Sequence, residues 1–292
     1  MATQHVETTE RTVTVPTSRR HLKVSSLLPH LALLCGVVIS IFPFYWLIVM
    51  ATNTTSAIYS YPPTLTFGTQ LVTNITHVMA SIDFFGSFVN TFIVAVCTMV
   101  LVLFFDSLAG FTFAKFEFPG KKALFLVLLA TFMVPAQLSV VPLFVMMAHL
   151  KWVGGLQALI IPGAANAFGI FWMRQYADGA IHPELLDAGR MDGCGHFRLY
   201  WNVGLPILRP ALAFLGIFTF IYAWNDYLWP LIVLVNPRRL TLQVALSQLN
   251  GVYSTDYGMV MAGTLLATLP LIIIFLVGSR QFIGDIAAGA IK

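Results

Sequence analysis

The chain has 292 residues, of which 58% are hydrophobic and only 10% charged, with a net charge of +4. Its mean hydropathy is +0.83, whereas a soluble domain is only about 45–50% apolar by residue. This composition excludes a soluble globular protein and places most of the chain in lipid. The positive residues are spread unevenly along the chain, which is a topology signal and not an indication of nucleic acid binding.

The first 24 residues form a polar leader that contains no aromatic residue and begins MATQHVETTERTVTVPTS. Such a segment cannot build a core, so we expect residues 1–24 to be a disordered cytoplasmic leader, with a strand that docks on a partner as the alternative. The apolar run that starts at Leu27 is longer than that of a signal peptide, and no small-residue cleavage site follows it. It is therefore interpreted as an uncleaved first span of a transmembrane domain over residues 25–292.

Six segments are apolar and long enough, at about 20 helical residues each, to cross about 30 Å of hydrocarbon. They are Leu27–Met50, Phe88–Phe113, Ala123–Ala148, Leu156–Met173, Pro210–Trp224 (continuing to about Leu231) and Met259–Gly278. Of the 16 Lys and Arg residues, all but Lys151, Arg238 and Arg239 lie in one alternate set of loops and termini. Because positive residues stay on the cytoplasmic side, we predict an all-α integral membrane protein with both termini in the cytoplasm.

The cysteines and histidines indicate neither a disulfide nor a metal site. Cys35 and Cys97 fall inside predicted spans and Cys194 in a cytoplasmic loop, away from an oxidising compartment. The seven histidines are scattered without the spacing that metal ligation needs.

Prolines and polar residues interrupt two of the predicted spans. Pro135 and Pro142 break the third span, in FMVPAQLSVVPLF, and Pro162 and Asn166 break the fourth. Each proline removes a backbone hydrogen bond, and the freed carbonyl group needs protein or water nearby. These segments are expected to face other helices or a cavity, so kinked packing and pore lining both remain open.

Asp106, in VLFFDSLAGF, is the only carboxylate well inside a predicted span. Acids at this depth are costly, usually paired and often functional. One interpretation is an ion-coupled secondary transporter that uses Asp106, although a proton relay normally needs more than one such group. The other is a structural pair with a polar group on a neighbouring chain.

The stretch HPELLDAGRMDGCGHFRLYWNVGLP, residues 182–206, carries charge and glycine between two apolar runs. Pro183 suits the first turn of a helix and Gly193 suits its C-terminal stop. The acidic residues Glu184 and Asp187 lie near the positive end of the helix dipole. The pattern predicts a helix from Pro183 to about Asp192.

This first helix is followed by a second, predicted from about His196 to Val203 and ended by Leu205–Pro206. On the first helix, Leu185, Ala188 and Gly189 share one face, which is small and lets a neighbouring backbone approach closely. Such a face favours a soluble partner on the cytoplasmic side. An amphipathic helix lying on the bilayer is the alternative.

The spacing Asp187-Ala188-Gly189, three residues, Gly193, nine residues and Val203-Gly204-Leu205-Pro206 resembles the EAA loop of ABC importer membrane subunits. Asp187, Gly189 and Val203 depart from the Glu, Ala and Ile of the family form. The segments NTFIVAVCTMVLVLFFDSLAGFTFAKFEFPGKK, FIYAWNDYLWPLIV and LATLPLIIIFLVGSRQFIGDIAAGAIK resemble the carbohydrate branch. Asp106 is a further departure, because that branch usually has a small or apolar residue there.

The resemblance implies a MalG-like (type I) ABC importer permease fold of six transmembrane helices, with a coupling loop at about 174–209 and a tail at 279–292. It implies a MalF-like second permease, two MalK-like ATPase subunits that bind ATP and Mg, an extracytoplasmic sugar-binding protein, and a bacterial or archaeal inner membrane. The chain itself has no P-loop, since Lys115 and Lys122 stand where Gly and Ser or Thr are needed around Gly120-Lys121. It is therefore expected to be a non-catalytic subunit.

The resemblance also implies roles for individual residues. Those expected to couple to the ATPase are Glu184, Asp187, Ala188, Gly189, Asp192, Gly193, Leu205 and Pro206. Gly289 and Lys292 of the tail are expected to contact the ATPase, with simple fraying of the tail as the alternative. Residues expected to contact the binding protein are Gln248, Asn250, Tyr253 and Asp256, with a plain surface loop as the alternative. Those expected at the translocation path or gate are Trp224, Asn225, Asp226, Tyr227 and Trp229, with an interfacial aromatic belt as the alternative.

Overall fold

The computed structural model describes residues 27–251 and 255–289, with side chains for residues 29–251 and 255–278. The predicted leader, residues 1–24, and the predicted contact residues Tyr253 and Lys292 lie outside these ranges. Of Gly289 only the backbone is described. Within the described ranges the regular structure is helical, without a strand.

The α-helices follow one another with short connections and, in two places, with 3₁₀ turns at Ala136–Ser139 and Pro237–Arg239. Their bounds are α1 Leu27–Thr52, α2 Thr55–Ile58, α3 Leu71–Ser81, α4 Phe84–Lys115, α5 Lys121–Phe132, α6 Val140–His149, α7 Gln157–Ile160, α8 Ala167–Ala180, α9 Pro183–Met191, α10 His196–Arg198, α11 Leu205–Ile207, α12 Arg209–Asn225, α13 Leu228–Val233, α14 Leu242–Ser247 and α15 Tyr257–Gly289. A π-helical turn, Leu199–Gly204, joins α10 to α11.

Among the described residues, three helices are long and apolar enough to cross a membrane: Pro29–Thr52, Phe84–Lys115 and Tyr257–Gly278. Two bent pairs pass the same test together. Lys121–Phe132 meets Ala136–His149 at 92°, and His196–Ile207 meets Arg209–Asn225 at 81°. The chain thus has three to five candidate spans by length and composition, and the predicted number of six stays a prediction.

The predicted interruptions of the third and fourth spans are largely confirmed. Pro135 lies at the bend between α5 and α6, and Pro162 lies in the irregular segment between α7 and α8. Asn166 caps α8, because its side chain accepts a hydrogen bond from the Gly169 amide at 2.8 Å. The prediction for Pro142 is wrong, since it lies in the first turn of α6, where its missing N–H is not needed.

The described residues divide into two compact units, one from within residues 1–46 and the other from within residues 47–292. In the first unit, α1 is apolar on all sides and exposes Leu33, Val38 and Ile39 among other large side chains. In the second unit, α4 packs against α8 and α12, and α15 packs against α3 and α12.

Close packing around α4 depends on one small residue. A Cβ at Gly110 would lie 2.6 Å from the Cβ of Met173 on α8, so only glycine lets these two helices approach to this distance. The same part of α4 contributes Phe111, which is fully buried beside Tyr200 of the π-helical turn. Helix α4 thus supports both the helix that leads into the loop at 182–206 and the turn that leads out of it.

Candidate functional site

Helix α9 has the predicted start and end. Pro183 occupies its first turn, and Glu184 lies in the same turn near the positive end of the dipole. At the other end, Gly193 has a φ of +79°, a left-handed conformation that favours glycine. The helix runs from Pro183 to Met191, so the predicted extent is confirmed within one residue.

The C-terminus of α9 is closed by a pair of backbone hydrogen bonds. The amide of Cys194 donates to the carbonyl of Gly189 at 2.9 Å, and the amide of Gly193 donates to that of Arg190 at 3.0 Å. These are the two bonds of a Schellman motif. They satisfy carbonyl groups at the helix end and fix the direction in which the chain leaves it.

The second arm of the loop is longer than predicted. It begins at His196, but it continues through the π-helical turn Leu199–Gly204 into α11. The prediction that Leu205–Pro206 ends this arm is wrong. Pro206 lies in the first turn of α11, where a proline costs no hydrogen bond. The arm then meets α12 at the 81° bend.

The inner side of the loop packs against the rest of the chain. Leu186 is 4% exposed, and a Cβ at Gly189 would lie 2.6 Å from Leu199 Cδ2. The expectation that Gly189 shares an outward face with Leu185 and Ala188 is therefore wrong, because Gly189 points at the second arm. Glycine at this position lets α9 lie directly on that arm.

A buried hydrogen bond ties the second arm to α4. The hydroxyl groups of Tyr200 and Ser107 lie 2.8 Å apart, and Tyr200 is 1% exposed. Ser107 also donates to the carbonyl of Leu103 within α4, which leaves Tyr200 as the donor in the bond between the hydroxyls.

The outer side of α9 carries charge and bulky apolar groups together. Asp187 is exposed and pairs with Arg190 at 2.8 Å. Beside it, Leu185 is 44% and Met191 89% exposed. An exposed apolar group of this size next to charges is typical of a protein interface.

Asp106 lies at the opposite end of α8 from the coupling loop and is fully buried. Its Oδ1 accepts a hydrogen bond from the backbone amide of Asn166 at 3.1 Å. A Cβ at Gly169 would clash with its Oδ2, so the carboxyl group lies against the first turn of α8. The pair expected on a neighbouring chain is thus formed within this chain.

At the other end of α12, the predicted path residues separate into two groups. Trp224 is fully buried, and its indole Nε1 donates to the Ala267 carbonyl at 3.1 Å. Its ring packs against Phe88 and Phe220, with centroids 5.4 and 5.5 Å away. The prediction that Trp224 lines a path is corrected, because its ring fills the core. Trp229 is half-buried and donates to the Ala158 carbonyl at 3.0 Å.

The other three path candidates stay accessible. Asn225 and Tyr227 are exposed and Asp226 is half-buried. The Asn225 Oδ1 accepts a hydrogen bond of 3.4 Å from Gln243 of α14. Tyr222, one turn before Asn225, is 67% exposed.

The candidates for contact with a binding protein also separate. Gln248 and Asn250 are exposed at the end of α14. Asp256 instead caps α15, since its Oδ1 accepts hydrogen bonds from the Met259 amide at 3.2 Å and from Thr55 Oγ1 at 2.8 Å. Its Oδ1 is therefore already used in contacts within the chain.

A family model described as "binding-protein-dependent transport system inner membrane component" matches residues 106–281, more than half of the chain. The chain belongs to this family. The lactose transport system permease protein LacG of Rhizobium radiobacter is 38% identical over 245 residues, which cover 84% of this chain and 89% of that protein.

Further relatives share this permease's length. The arabinooligosaccharides transport system permease protein AraQ of Bacillus subtilis is 35% identical over 72% of this chain and 74% of its own. The sn-glycerol-3-phosphate transport system permease protein UgpE of Salmonella typhimurium is 32% identical over 91% of this chain and 96% of its own. The resemblance to ABC importer permeases is thus confirmed, and this permease is a non-catalytic subunit of a transport system.

A solved structure supports the fold. A bacterial ABC transporter involved in the import of the acidic polysaccharide alginate contains a chain that superposes with a TM-score of 0.78 at 22% identity. The match covers 93% of this permease and 100% of that chain. The helical ABC importer permease fold is confirmed, and the secondary transporter that would use Asp106 has no support.

In this permease the predicted coupling residues do lie together on one loop. Leu205 is half-buried and Pro206 exposed, so both arms contribute to its surface. Sequence reasoning missed Met191, Phe197 and Trp201, of which the last two are 56% and 51% exposed and stacked at 6.1 Å. For Phe197 and Trp201 the signal was the density of bulky residues in HFRLYW, within the nine-residue stretch between Gly193 and Val203.

Proposed function

We propose that this permease imports a sugar delivered by an extracytoplasmic binding protein, and that ATP hydrolysis in partner subunits drives the import. The relatives named for lactose and arabinooligosaccharides support a carbohydrate solute. The single observation that carries the coupling is the geometry of α9, held against the chain on one side and exposed with charge and apolar groups on the other.

The proposal includes six crossings of a bacterial or archaeal inner membrane with both termini in the cytoplasm. The distribution of Lys and Arg supports this orientation. It divides the chain into a cytoplasmic leader at 1–24 and a permease domain at 25–292. The coupling loop at 174–209 and the tail at 279–292 then share the cytoplasmic side.

The coupling role belongs to the outer surface of the loop. Asp187 would pair with a basic residue of the ATPase in competition with Arg190. Leu185 and Met191 would fill an apolar pocket beside that pair. Gly189 and Gly193 act indirectly in this proposal, because they set the position and the end of α9.

The complete transporter would contain a MalF-like second permease and two MalK-like ATPase subunits, which hold ATP and Mg. This chain would reach the ATPases through the loop and through the tail residues Gly289 and Lys292. Membrane lipid would cover the remaining apolar surface. The family description itself names a binding protein.

The solute path would pass the surface formed by Tyr222, Asn225, Asp226 and Tyr227. Accessible amide, carboxyl and phenol groups at the end of a membrane helix are costly against lipid, so they face a cavity or another subunit. An aromatic ring with hydrogen-bonding groups beside it suits a sugar. Gln248, Asn250 and Tyr253 would contact the binding protein.

The test is transport by the full complex in proteoliposomes, with ATP inside, binding protein outside and a panel of labelled mono-, di- and oligosaccharides. We expect uptake that requires both ATP and the binding protein. Asp187→Lys should reduce uptake about tenfold or more, because a broken charge pair in an interface costs about 2–5 kcal/mol.

Glu117→Lys is the matched control. Glu117 is also an exposed carboxylate in a local ion pair of 2.8 Å, with Lys121, but it lies outside the coupling loop. Equal uptake by Asp187→Lys and the unmodified protein would remove the coupling role. Uptake driven by a pH gradient without nucleotide would contradict the ATP-driven mechanism as a whole.

A further inference from the structure

A narrow groove opens between α4, α5 and α8, at the same end of the second unit as α9. It encloses about 210 Å³. Its walls combine apolar side chains and cations, among them Phe125, Leu126, Leu129, Lys121, Lys122 and Arg174. None of these residues lies on the outer surface of α9 or on the proposed solute path, although Arg174, within α8, is the first residue of the range 174–209.

Arg174 is held in the groove with a donor that has no partner. Its guanidinium lies over the Phe125 ring, with Cζ 4.3 Å from the centroid. One terminal nitrogen donates to Gln175 Oε1 at 2.9 Å. The Nε atom is buried and makes no hydrogen bond to the described residues. A buried donor in this state is costly, and an acceptor brought by a ligand would satisfy it.

The groove also carries an excess of positive charge. Lys121 pairs with Glu117 at 2.8 Å, and this hydrogen bond lowers the pKa of Glu117 below its usual range. The three groove cations, Lys121, Lys122 and Arg174, are thus balanced by only one carboxylate, that of Glu117, so two positive charges remain in excess. Lys121 and Lys122 also begin α5, whose N-terminal dipole adds to the same field.

The size and the apolar walls decide which anion fits. Pockets for drug-sized molecules hold about 300–1,000 Å³, so this groove is too small for an oligosaccharide. It is large enough for a phosphate group and part of its glycerol. From the groove, α5 continues with exposed apolar residues such as Leu126 and Val127, at 68% and 60%, along which an acyl chain can lie.

We propose that this groove binds an anionic phospholipid, with its phosphate between Lys122 and Arg174 and its acyl chains along α5. Basic recesses between transmembrane helices on the cytoplasmic side are suited to lipid head groups, and the proposed topology places this end there. The apolar walls distinguish such a ligand from free phosphate, which gains nothing from them.

The test is native mass spectrometry of the full-length permease, expressed with its partner subunits and titrated with phosphatidylglycerol in detergent. Lys122→Gln and Arg174→Gln should each weaken the tightest lipid adduct about fivefold, which corresponds to about 1 kcal/mol for each cation near the lipid head group. Arg174→Lys should recover only part of the loss, because it keeps the charge but not the stacked, planar donors.

Arg239→Gln is the matched control, since it removes one exposed cation near the other end of α4 and should leave lipid binding unchanged. Lys122 is exposed, so Lys122→Gln should fold normally. It therefore tests the proposal even if Arg174→Gln fails to fold. Equal binding of phosphatidylcholine, equal loss in Arg239→Gln, or no loss in Lys122→Gln would overturn the proposal. Displacement by millimolar inorganic phosphate would also overturn it, by assigning the groove to free phosphate.

Discussion

The two ends of the second unit of this permease use polar residues in different ways. At the coupling end, the motif residues Asp187 and Ala188 remain exposed, as does Met191 beside them, while Gly189 points inward. At the opposite end, the residues chosen for their hydrogen-bonding chemistry are partly committed inside the chain. Trp224 donates to a buried carbonyl, and Asp256 caps a helix.

This comparison shows how far the chemistry of a side chain predicts its role. In the coupling loop, backbone hydrogen bonds satisfy the end of α9. The exposed side chains of the loop are therefore not needed for these bonds and remain free to contact a partner. Where irregular segments meet several helices, buried polar groups must find partners within the protein. The buried Trp224 finds its partner 43 residues away, and the half-buried Asp256 uses its Oδ1 both for the local cap and for the distant Thr55.

The largest expected effect tests the correction for Trp224. Trp224→Ala removes a fully buried ring and should lower the free energy of unfolding by about 3–5 kcal/mol, measured by thermal unfolding of the purified complex in detergent. Tyr222→Ala is the matched control, because Tyr222 is 67% exposed on the same helix. Its stability should change by no more than about 0.5 kcal/mol.

Uptake gives the second half of that test. Tyr222→Ala should reduce sugar import while the complex stays assembled, since the proposed path passes this surface. If Trp224→Ala were as stable as the unmodified protein, the ring would not be a core residue, and the original prediction for the path would regain support.

Asp106 gives the next largest effect. Asp106→Leu leaves the Asn166 amide without its acceptor at the partly buried start of α8 and should cost about 1–3 kcal/mol. Asp106→Asn keeps an acceptor oxygen and should retain most of the stability and import. Import by Asp106→Asn also separates a structural role from a proton-transfer role, which an amide cannot perform.

Gly169→Ala provides an independent test of the same contact. The added Cβ would displace the Asp106 carboxyl group, so the single substitution should reduce both stability and import. In the Asp106→Ala background the clash is reduced to a 3.2 Å contact with the remaining Cβ. The second substitution should then cost much less than the first, and strict additivity of the two would contradict the contact.

Much of the coupling loop could be predicted from the sequence, because Pro183 and Gly193 act through backbone geometry within a few residues. The bend at Pro135 was predictable for the same reason. The residues at the opposite end of the second unit, around Trp224 and Asp256, could not be predicted in the same detail. The bond that Asp256 accepts from Thr55 joins residues 201 positions apart, and no local pattern reveals such a pair. Gly189 was placed on the wrong side of α9 because its neighbour, Leu199, lies beyond the turn.

A smaller effect is expected from the glycines that close α9. Gly193 and Gly195 both have open space where a Cβ would lie, but only Gly193 has a positive φ. Gly193→Ala should therefore cost about 1–2 kcal/mol and reduce import per ATP hydrolysed, whereas Gly195→Ala should leave both unchanged. Similar results for the two variants in uptake and ATPase assays would mean that the end of α9 is not set by this conformation.

The smallest effect is local to the start of α15. Asp256→Ala removes the cap and the bond to Thr55, and should destabilise the first turn of α15 by about 1 kcal/mol. Asp256→Asn keeps a good capping group and should be close to neutral. Hydrogen exchange at the amides of Met259 and Val260 measures the change where it occurs. Faster exchange in Asp256→Ala, together with unchanged stimulation of the ATPase by the binding protein, would assign Asp256 to the fold and leave the contact role to Gln248 and Asn250. If exchange stayed the same while stimulation fell, Asp256 would belong to the docking surface after all, and the contrast between the two ends would fail at this residue.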